Sequence, residues 1–129
     1  MIGYVTLGTN DLQKNAPFYD HLLKELGGHG RMMDFEQFIA WGEMDGGAGI
    51  ALTKPYDGKA ATIGNGVMVA LAAPDTETVD RVHAKALALG GQDEGAPGPR
   101  GDDGFYAGYF RDLDGNKLNV FCMTGGEAA

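Results

Sequence analysis

The sequence has few of the residues that would link it to an oxidising compartment, a nucleic acid or a membrane surface. It contains one cysteine, Cys122, so no internal disulfide can form, which is typical of proteins from a reducing compartment. Lys and Arg total 10 against 18 for Asp and Glu, which gives a formal net charge of −8. Because an acidic surface repels phosphate backbones and anionic lipids, we expect neither nucleic acid nor a membrane as a partner.

Long apolar runs are also missing. No stretch approaches the roughly 20 consecutive apolar residues that a membrane-spanning helix needs. Residues 1–5 lack the basic segment and the apolar core of a signal peptide. The sequence therefore predicts a cytoplasmic protein.

Glycine, in contrast, is abundant, with 22 residues in a chain of 129. Many of these glycines cluster where apolar periodic segments end, as in Gly27-Gly28, Gly64-Asn65-Gly66 and Gly90-Gly91. Such clusters are typical of short strands and helices joined by tight turns. A chain of this length fits a single domain, which we place at residues 1–129.

The first half of the chain reads as a strand, a helix and three further strands. Residues 2–8 alternate between apolar and polar or small residues, as a half-buried strand does. Asn10-Asp11 offers a helix cap, and we expect the main helix to begin at Pro17, since proline suits the first turn of a helix. The three strands that follow are predicted at about 30–35, 38–44 and 48–54.

The second half repeats this order. A strand at 66–73 leads to a helix that Pro74-Asp75 opens and Gly90-Gly91 ends. The later elements are a weak strand at 92–95, a Gly/Pro-rich loop at 95–104 and two stronger strands at 105–112 and 116–123.

The two halves superpose when 64 is added to the numbering, and later in the chain the offset drifts to about 68. Tyr4 then corresponds to Met68, and Ala51 corresponds to Asn119. Matching caps, glycines and strand counts predict an α+β fold of two βαβββ modules, at about 1–58 and 64–124.

Three motifs in order carry a family resemblance along nearly the whole chain. They are the opening Ile2-Gly3-Tyr4-Val5-Thr6-Leu7 with Asn10-Asp11-Leu12 and Phe18-Tyr19, then Gly66-Val67-Met68-Val69-Ala70-Leu71 with Ala73-Pro74-Asp75, and the hairpin Asp112-Leu113-Asp114-Gly115-Asn116. This series resembles the vicinal oxygen chelate superfamily, which includes glyoxalase I, bleomycin-resistance proteins and extradiol dioxygenases. The resemblance implies a mixed sheet shaped as an open cup with the helices outside, and a homodimer.

The resemblance also implies where a metal would lie. Metal-dependent members of the family hold one divalent ion with His, Gln or Glu from the first and last strands of each module. The corresponding positions here are Tyr4, Ala51, Met68 and Asn119. A phenol, a methyl group, a thioether and a neutral amide are poor ligands for hard or borderline divalent ions. We therefore predict a degenerate metal site, with no metal and no other cofactor.

Strand alternation predicts what lines the cup instead. Apolar walls with a few polar groups are typical of a small-molecule pocket. The predicted lining residues are Tyr4, Thr6, Trp41, Thr53, Met68, Tyr106, Asn119 and Phe121, and Tyr109 is a further candidate for the aromatic wall. In the alternative, these side chains fill the cup and nothing binds.

Other candidates for chemistry are weaker. Cys122 alternates onto the helix-facing side of its strand, so we expect it to pack in the core rather than act as a nucleophile. His21 and His83 fall on helices, where we expect them to be solvated, and His29 follows the first helix. Two functions stay open: a glyoxalase-like lyase or isomerase acting on a small metabolite, and a non-catalytic binder of a drug or aromatic metabolite.

Overall fold

The computed structural model describes residues 1–44 and 46–124. The chain divides into two compact units, Met1–Gly64 and Asn65–Ala129. The first contains β1 (Tyr4–Gly8), α1 (Leu12–Leu26), β2 (Arg31–Asp34), β3 (Phe38–Glu43) and β4 (Gly46–Thr53). The second contains β5 (Val69–Ala72), α2 (Thr76–Ala88), β6 (Gln92–Pro99), β7 (Phe105–Arg111) and β8 (Lys117–Met123). The predicted α+β class and the two βαβββ modules are confirmed.

Each module forms one four-stranded mixed sheet, with strand orders β1-β4-β3-β2 and β5-β8-β7-β6. The first and last strands of a module pair in parallel, and the other pairs are antiparallel. Thr6 pairs with Ala51 in the first sheet, and Ala70 pairs with Asn119 in the second. The sheets therefore correspond at the same offsets of 64 and 68 that relate the two halves of the sequence.

Helix α1 begins earlier than expected. Its N-cap is Asp11, whose side chain accepts a hydrogen bond from the backbone N–H of Lys14. The predicted start at Pro17 is wrong, because Pro17 lies inside a helix that begins at Leu12. A proline there removes one backbone hydrogen bond. The first turn nevertheless remains helical, since it buries Leu12 and Ala16 in the core, at 0% and 1% exposure. The helix ends at Gly27-Gly28 as predicted, with Gly28 at φ +86°.

Helix α2 also begins at a capping aspartate. Asp75 accepts hydrogen bonds from the side-chain hydroxyl and the backbone N–H of Thr78, which lower the pKa of its carboxyl group. The apolar side chains of α2 pack on its sheet, and they include Val79, Val82 and Ala86. In the described part of the chain, no helix is long and apolar enough to cross a membrane.

His83 on α2 was expected in solvent and is instead buried, at 5% exposure. Its Nε2 lies 3.1 Å from both the Asp93 Oδ1 and the backbone oxygen of Tyr109. The ring fits because Gly108 on β7 has no side chain: a Cβ at that position would lie 3.0 Å from the imidazole. The burial of His83 therefore depends on a glycine on another element.

Strand β6 is longer than the predicted strand at 92–95, and it replaces half of the predicted loop at 95–104. Its register with β7 is interrupted on both sides of Gly95, which has φ +153°. Two prolines are tolerated near its end because β6 is an edge strand, where only one side of the backbone must pair. Strand β5, in contrast, is shorter than predicted, since only Val69–Ala72 pair.

Candidate ligand-binding site

Each sheet has one face that packs on its own helix, and we call the opposite side its helix-free face. In the first module Trp41 marks the helix side. Its ring lies 5.3 Å from that of Tyr19 on α1, and its Nε1 donates a hydrogen bond to Asp20 at 2.8 Å. The indole is 1% exposed. The prediction that Trp41 belongs to the pocket wall is therefore wrong, because this side chain belongs to the core.

Tyr106 marks the helix side of the second sheet. Its hydroxyl donates a 2.6 Å hydrogen bond to Asp80 on α2, which raises the pKa of the phenol. Tyr106 therefore also lies away from the predicted pocket wall, which is a second correction. Tyr109 is three residues further along β7 and so points to the opposite, helix-free face. Cys122 pairs with Tyr106 and is buried on the helix side, as expected.

The helix-free face of the first sheet holds four of the predicted positions, which are Tyr4, Thr6, Ala51 and Thr53. Tyr4 is 47% exposed, and its ring meets that of Phe38 edge-on at 5.8 Å. The Thr53 hydroxyl lies within hydrogen-bond distance of the backbone oxygens of Gln37 and Lys54. This face therefore carries aromatic and small side chains, and the Thr53 hydroxyl at its strand end already has hydrogen-bond partners.

Asn119 occupies the centre of the helix-free face of the second sheet. It pairs with Ala70 on one side and with Tyr109 on the other. The side chain is 2% exposed, and its Oδ1 has no hydrogen-bond partner among the described residues. Leaving a buried acceptor unpaired costs about 1–3 kcal/mol, so native proteins rarely do it without a reason. The amide oxygen therefore lacks a donor within residues 1–44 and 46–124.

Aromatic rings share this face of the second sheet with Asn119, and two cations lie close to one of them. Phe105 and Phe121 lie on the same face and stack, with ring centroids 5.5 Å apart. The guanidinium of Arg100 and the ammonium of Lys117 lie 5.4 and 5.7 Å from the Tyr109 ring centroid. Both cations are within the range of cation–π attraction, which orients the phenol ring. We call this set the Asn119 site, formed by Phe105, Tyr109, Lys117, Asn119 and Phe121.

Comparison with known proteins decides the family. The model of the Glyoxalase/Bleomycin resistance protein/Dioxygenase superfamily matches residues 1–120. The chain belongs to this superfamily. The crystal structure of a glyoxalase/bleomycin resistance protein from Albidiferax ferrireducens T118 is 34% identical and superposes with a TM-score of 0.85. That match covers 96% of this chain and 99% of the other.

Other solved members of the fold are more distant. A hypothetical protein from S. aureus is 26% identical, with a TM-score of 0.69 over 92% of this chain and 91% of its own. A lactoylglutathione lyase from Agrobacterium tumefaciens is 21% identical, with a TM-score of 0.69 over 95% and 92% of the two chains, and this likeness shows the fold alone. No curated protein matches the chain significantly.

The residues at the superfamily's metal positions do not fit a divalent ion here. Tyr4 and Ala51 lie on the helix-free face of the first sheet, and Met68 directly precedes β5 in the second module. Among the four positions, only Tyr4 and Asn119 carry a side-chain oxygen, as a phenol and an amide rather than a carboxylate. Across residues 1–44 and 46–124, no three His, Cys, Asp or Glu residues form a group that could hold a metal. A catalytic ion needs about three such ligands, and a structural ion needs about four.

Two members of the Asn119 site were not predicted from the sequence as pocket residues. Lys117 lies on the same face of β8 as Asn119 and Phe121, so strand alternation alone could have identified it as a pocket residue. Phe105 has the parity of Tyr109, but the direction of β7 was ambiguous until its pairing with β8 was known. Arg100 was missed as a neighbour of Tyr109 because the segment before it was predicted as a loop.

Proposed function

We propose that this superfamily member is a binding protein for a small aromatic compound that carries an N–H or O–H group. The compound lies on the helix-free face of the second sheet. The observation that carries the proposal is the buried Asn119 Oδ1, which has no partner in the described part of the chain. An amide oxygen accepts hydrogen bonds and cannot donate them, so the group that satisfies it must be a donor.

The neighbours of Asn119 support the aromatic part of the ligand. Phe121 lies two residues along the same strand, and Tyr109 lies directly across on β7. Flat rings offer apolar contact at low conformational cost, and pairs of rings favour stacked or edge-on contact. A flat compound can therefore contact these rings while its polar edge meets the amide oxygen. Apolar walls with one or two placed polar groups are the usual composition of small-molecule sites.

The lyase or isomerase activity stays a prediction, since no contact in the site favours it. Asn119 neither gives nor takes a proton near neutral pH. Glu94 on β6, two strands away from Asn119, is ion-paired with Arg111, at 3.1 Å between Nε and Oε2. A carboxylate held in this way is a weak candidate for a general base, because one of its oxygens already accepts from the guanidinium. The homodimer and the cytoplasmic location also stay predictions.

Matched pairs of compounds test the proposed function in a thermal-shift assay. Phenol, indole and benzamide each carry a donor, whereas anisole, N-methylindole and N,N-dimethylbenzamide keep the ring without the donor. We expect at least one donor compound to raise the Tm saturably and its methylated partner to do so much less, since the methylated compound leaves Oδ1 unpaired. Equal shifts within every pair, or no shift with any donor, would contradict the proposal.

A further inference from the structure

A cavity of about 290 Å³ lies in the first module, apart from the residues of the Asn119 site. Thr9 and Asn10 line it where β1 ends, Lys54 lines it where β4 ends, and Lys59 lines it from the following loop. The carboxyl ends of parallel strands open at the same edge of a sheet, which is where ligands of α/β sheets commonly bind. All the lining residues belong to the first module, so this cavity needs no part of the second.

We propose that this cavity binds the oxyanion group, a phosphate or a carboxylate, of a small metabolite. The lining contains Lys54 and Lys59 and no acidic residue, although acidic residues outnumber basic ones 18 to 10 in the whole chain. Within the described residues, neither lysine ammonium makes a hydrogen bond or an ion pair. Two unpaired cations on residues that line one concave surface create a local positive potential, which concentrates anions.

The walls of the cavity are fixed by hydrogen bonds. The Asn10 side chain accepts from the backbone N–H of Ala61 at 2.7 Å and donates to its carbonyl at 3.4 Å, which ties the 54–61 loop to the start of α1. Within that loop, Asp57 accepts from the backbone N–H of Lys59 at 2.9 Å. The Lys54 backbone N–H donates to the Gln37 carbonyl at 3.0 Å. These hydrogen bonds hold the backbone around both lysines. Binding of an anion therefore costs little conformational entropy beyond that of the two lysine side chains.

Thr9 supplies a buried donor as well. It is 1% exposed, and its Oγ1 accepts from the Asp11 backbone N–H at 3.2 Å and from the Asn15 amide at 3.3 Å. Those two bonds use both lone pairs of the hydroxyl, so its remaining role is to donate. Its O–H has no acceptor among the hydrogen bonds of the described residues. An oxyanion accepts from hydroxyl and ammonium donors alike, and charge-assisted hydrogen bonds of this kind are the stronger ones.

Isothermal titration of the full chain with inorganic phosphate, and separately with malonate, tests the proposal at constant ionic strength. We expect saturable binding of at least one of them, and its identity assigns phosphate or carboxylate as the group. Lys54→Gln and Lys59→Gln should each weaken that binding about fivefold, since each removes one exposed charge from the cavity lining. The double variant should bind at least tenfold more weakly than the wild type.

Lys24→Gln is the matched control, because it removes the same charge from the last turn of α1, at the far end of the helix. It should change anion affinity less than twofold, and all variants should keep the wild-type Tm without anion. Absence of saturable binding with both anions would overturn the proposal. So would equal weakening by Lys24→Gln, because that result would mean that only net charge matters. Neither outcome bears on the Asn119 site, which the donor-matched compounds test separately.

Discussion

Tyr109 lies directly opposite Asn119 in the antiparallel β7–β8 pair, on the face of the second sheet that α2 does not cover. Side chains directly opposite each other in such a pair have Cβ atoms about 5 Å apart. A compound that donates a hydrogen bond to Asn119 Oδ1 would therefore lie beside Tyr109 on the same face of the sheet. Arg100 and Lys117 lie 5.4 and 5.7 Å from the centroid of that ring, so two cations are close to the Asn119 site.

Replacing Asn119 with leucine should stabilise the protein when no compound is bound. The substitution removes a buried acceptor that lacks a partner and puts an apolar side chain of similar size in its place. We expect the free energy of unfolding to rise by about 1 kcal/mol. Urea unfolding followed by circular dichroism measures this change.

Asn15 provides the control for that experiment. It is also buried, but its amide donates a 3.3 Å hydrogen bond to Thr9 Oγ1. Asn15→Leu should therefore lower the free energy of unfolding by about 1–3 kcal/mol. If Asn119→Leu destabilises the protein as much as Asn15→Leu does, Asn119 has a structural partner and the account of the site is wrong.

Substitutions of the two tyrosines of β7 should have different effects, one on ligand affinity and the other on the free energy of unfolding. Tyr109→Leu removes a ring of the Asn119 site, and we expect it to weaken binding of the best donor compound about tenfold. Tyr106→Phe removes the hydroxyl that bonds to Asp80 on the helix side. It should lower the free energy of unfolding by about 1 kcal/mol without changing affinity. Calorimetric titration of both variants checks this, and a larger affinity loss in Tyr106→Phe would contradict the assignment of faces.

In the parallel strand pairs, strand alternation was sufficient to predict which side chains point to the core and which point to the helix-free face. Leu7 and Leu71 pack in the core, and Thr6 and Ala70 point to the helix-free faces, as the sequence pattern indicates. Asn119 could be located because two independent arguments, the repeat and the resemblance, selected it. Its lack of a partner could not be predicted, because it depends on which side chains from other strands reach its oxygen.

The wrong predictions for Trp41, Tyr106 and His83 have physical causes of the same kind. Trp41 and Tyr106 lie on strands where a one-residue change of register exchanges the two faces, and only the pairing partners fix that register. Trp41 is in addition drawn to the core by an acceptor, Asp20, that is 21 residues away in the sequence. The burial of His83 depends on the absence of a side chain at Gly108. Each of these contacts is tertiary and leaves no local signal.

Asp20 should make stability depend on pH. Arg31 donates to both of its carboxylate oxygens, at 2.7 and 2.9 Å, and these bonds lower the pKa of Asp20. A lowered pKa in the folded state stabilises the protein above the unfolded pKa, about 3.9, and that stabilisation is lost as the pH falls through the folded pKa. Asp20→Asn should therefore cost about 1 kcal/mol at neutral pH, after allowance for screening at a side chain that is 34% exposed.

Urea unfolding at a series of pH values measures the free energy of unfolding of wild type and of Asp20→Asn. The difference between these two free energies should shrink as the pH is lowered. It should approach zero at a pH below the lowered pKa of folded Asp20, where the carboxyl is protonated in both states. Asp114→Asn offers a comparison in the other module, because the side-chain hydrogen bonds of Arg31 go to Asp20 and Asp34. A difference that stays constant with pH would contradict the role given to the ionised Asp20.

Purified protein should contain far less than one divalent ion per chain. The side chains at the superfamily's metal positions offer no carboxylate or imidazole, so Zn²⁺, Mn²⁺ and Ni²⁺ should neither copurify stoichiometrically nor raise the Tm saturably. Elemental analysis of protein purified without chelator measures the content. A full equivalent of metal that is lost in Tyr4→Phe or in Asn119→Ala would overturn this prediction.

The central claim is that a ligand donates a hydrogen bond to Asn119 Oδ1. The side-chain amide resonance of Asn119, assigned by its loss in Asn119→Leu, reports on this bond during titration with the best donor compound. We predict that this resonance moves saturably with the same affinity that calorimetry gives, and that the methylated partner leaves it in place. Saturable binding of the donor compound without any movement of the Asn119 resonance would contradict the account.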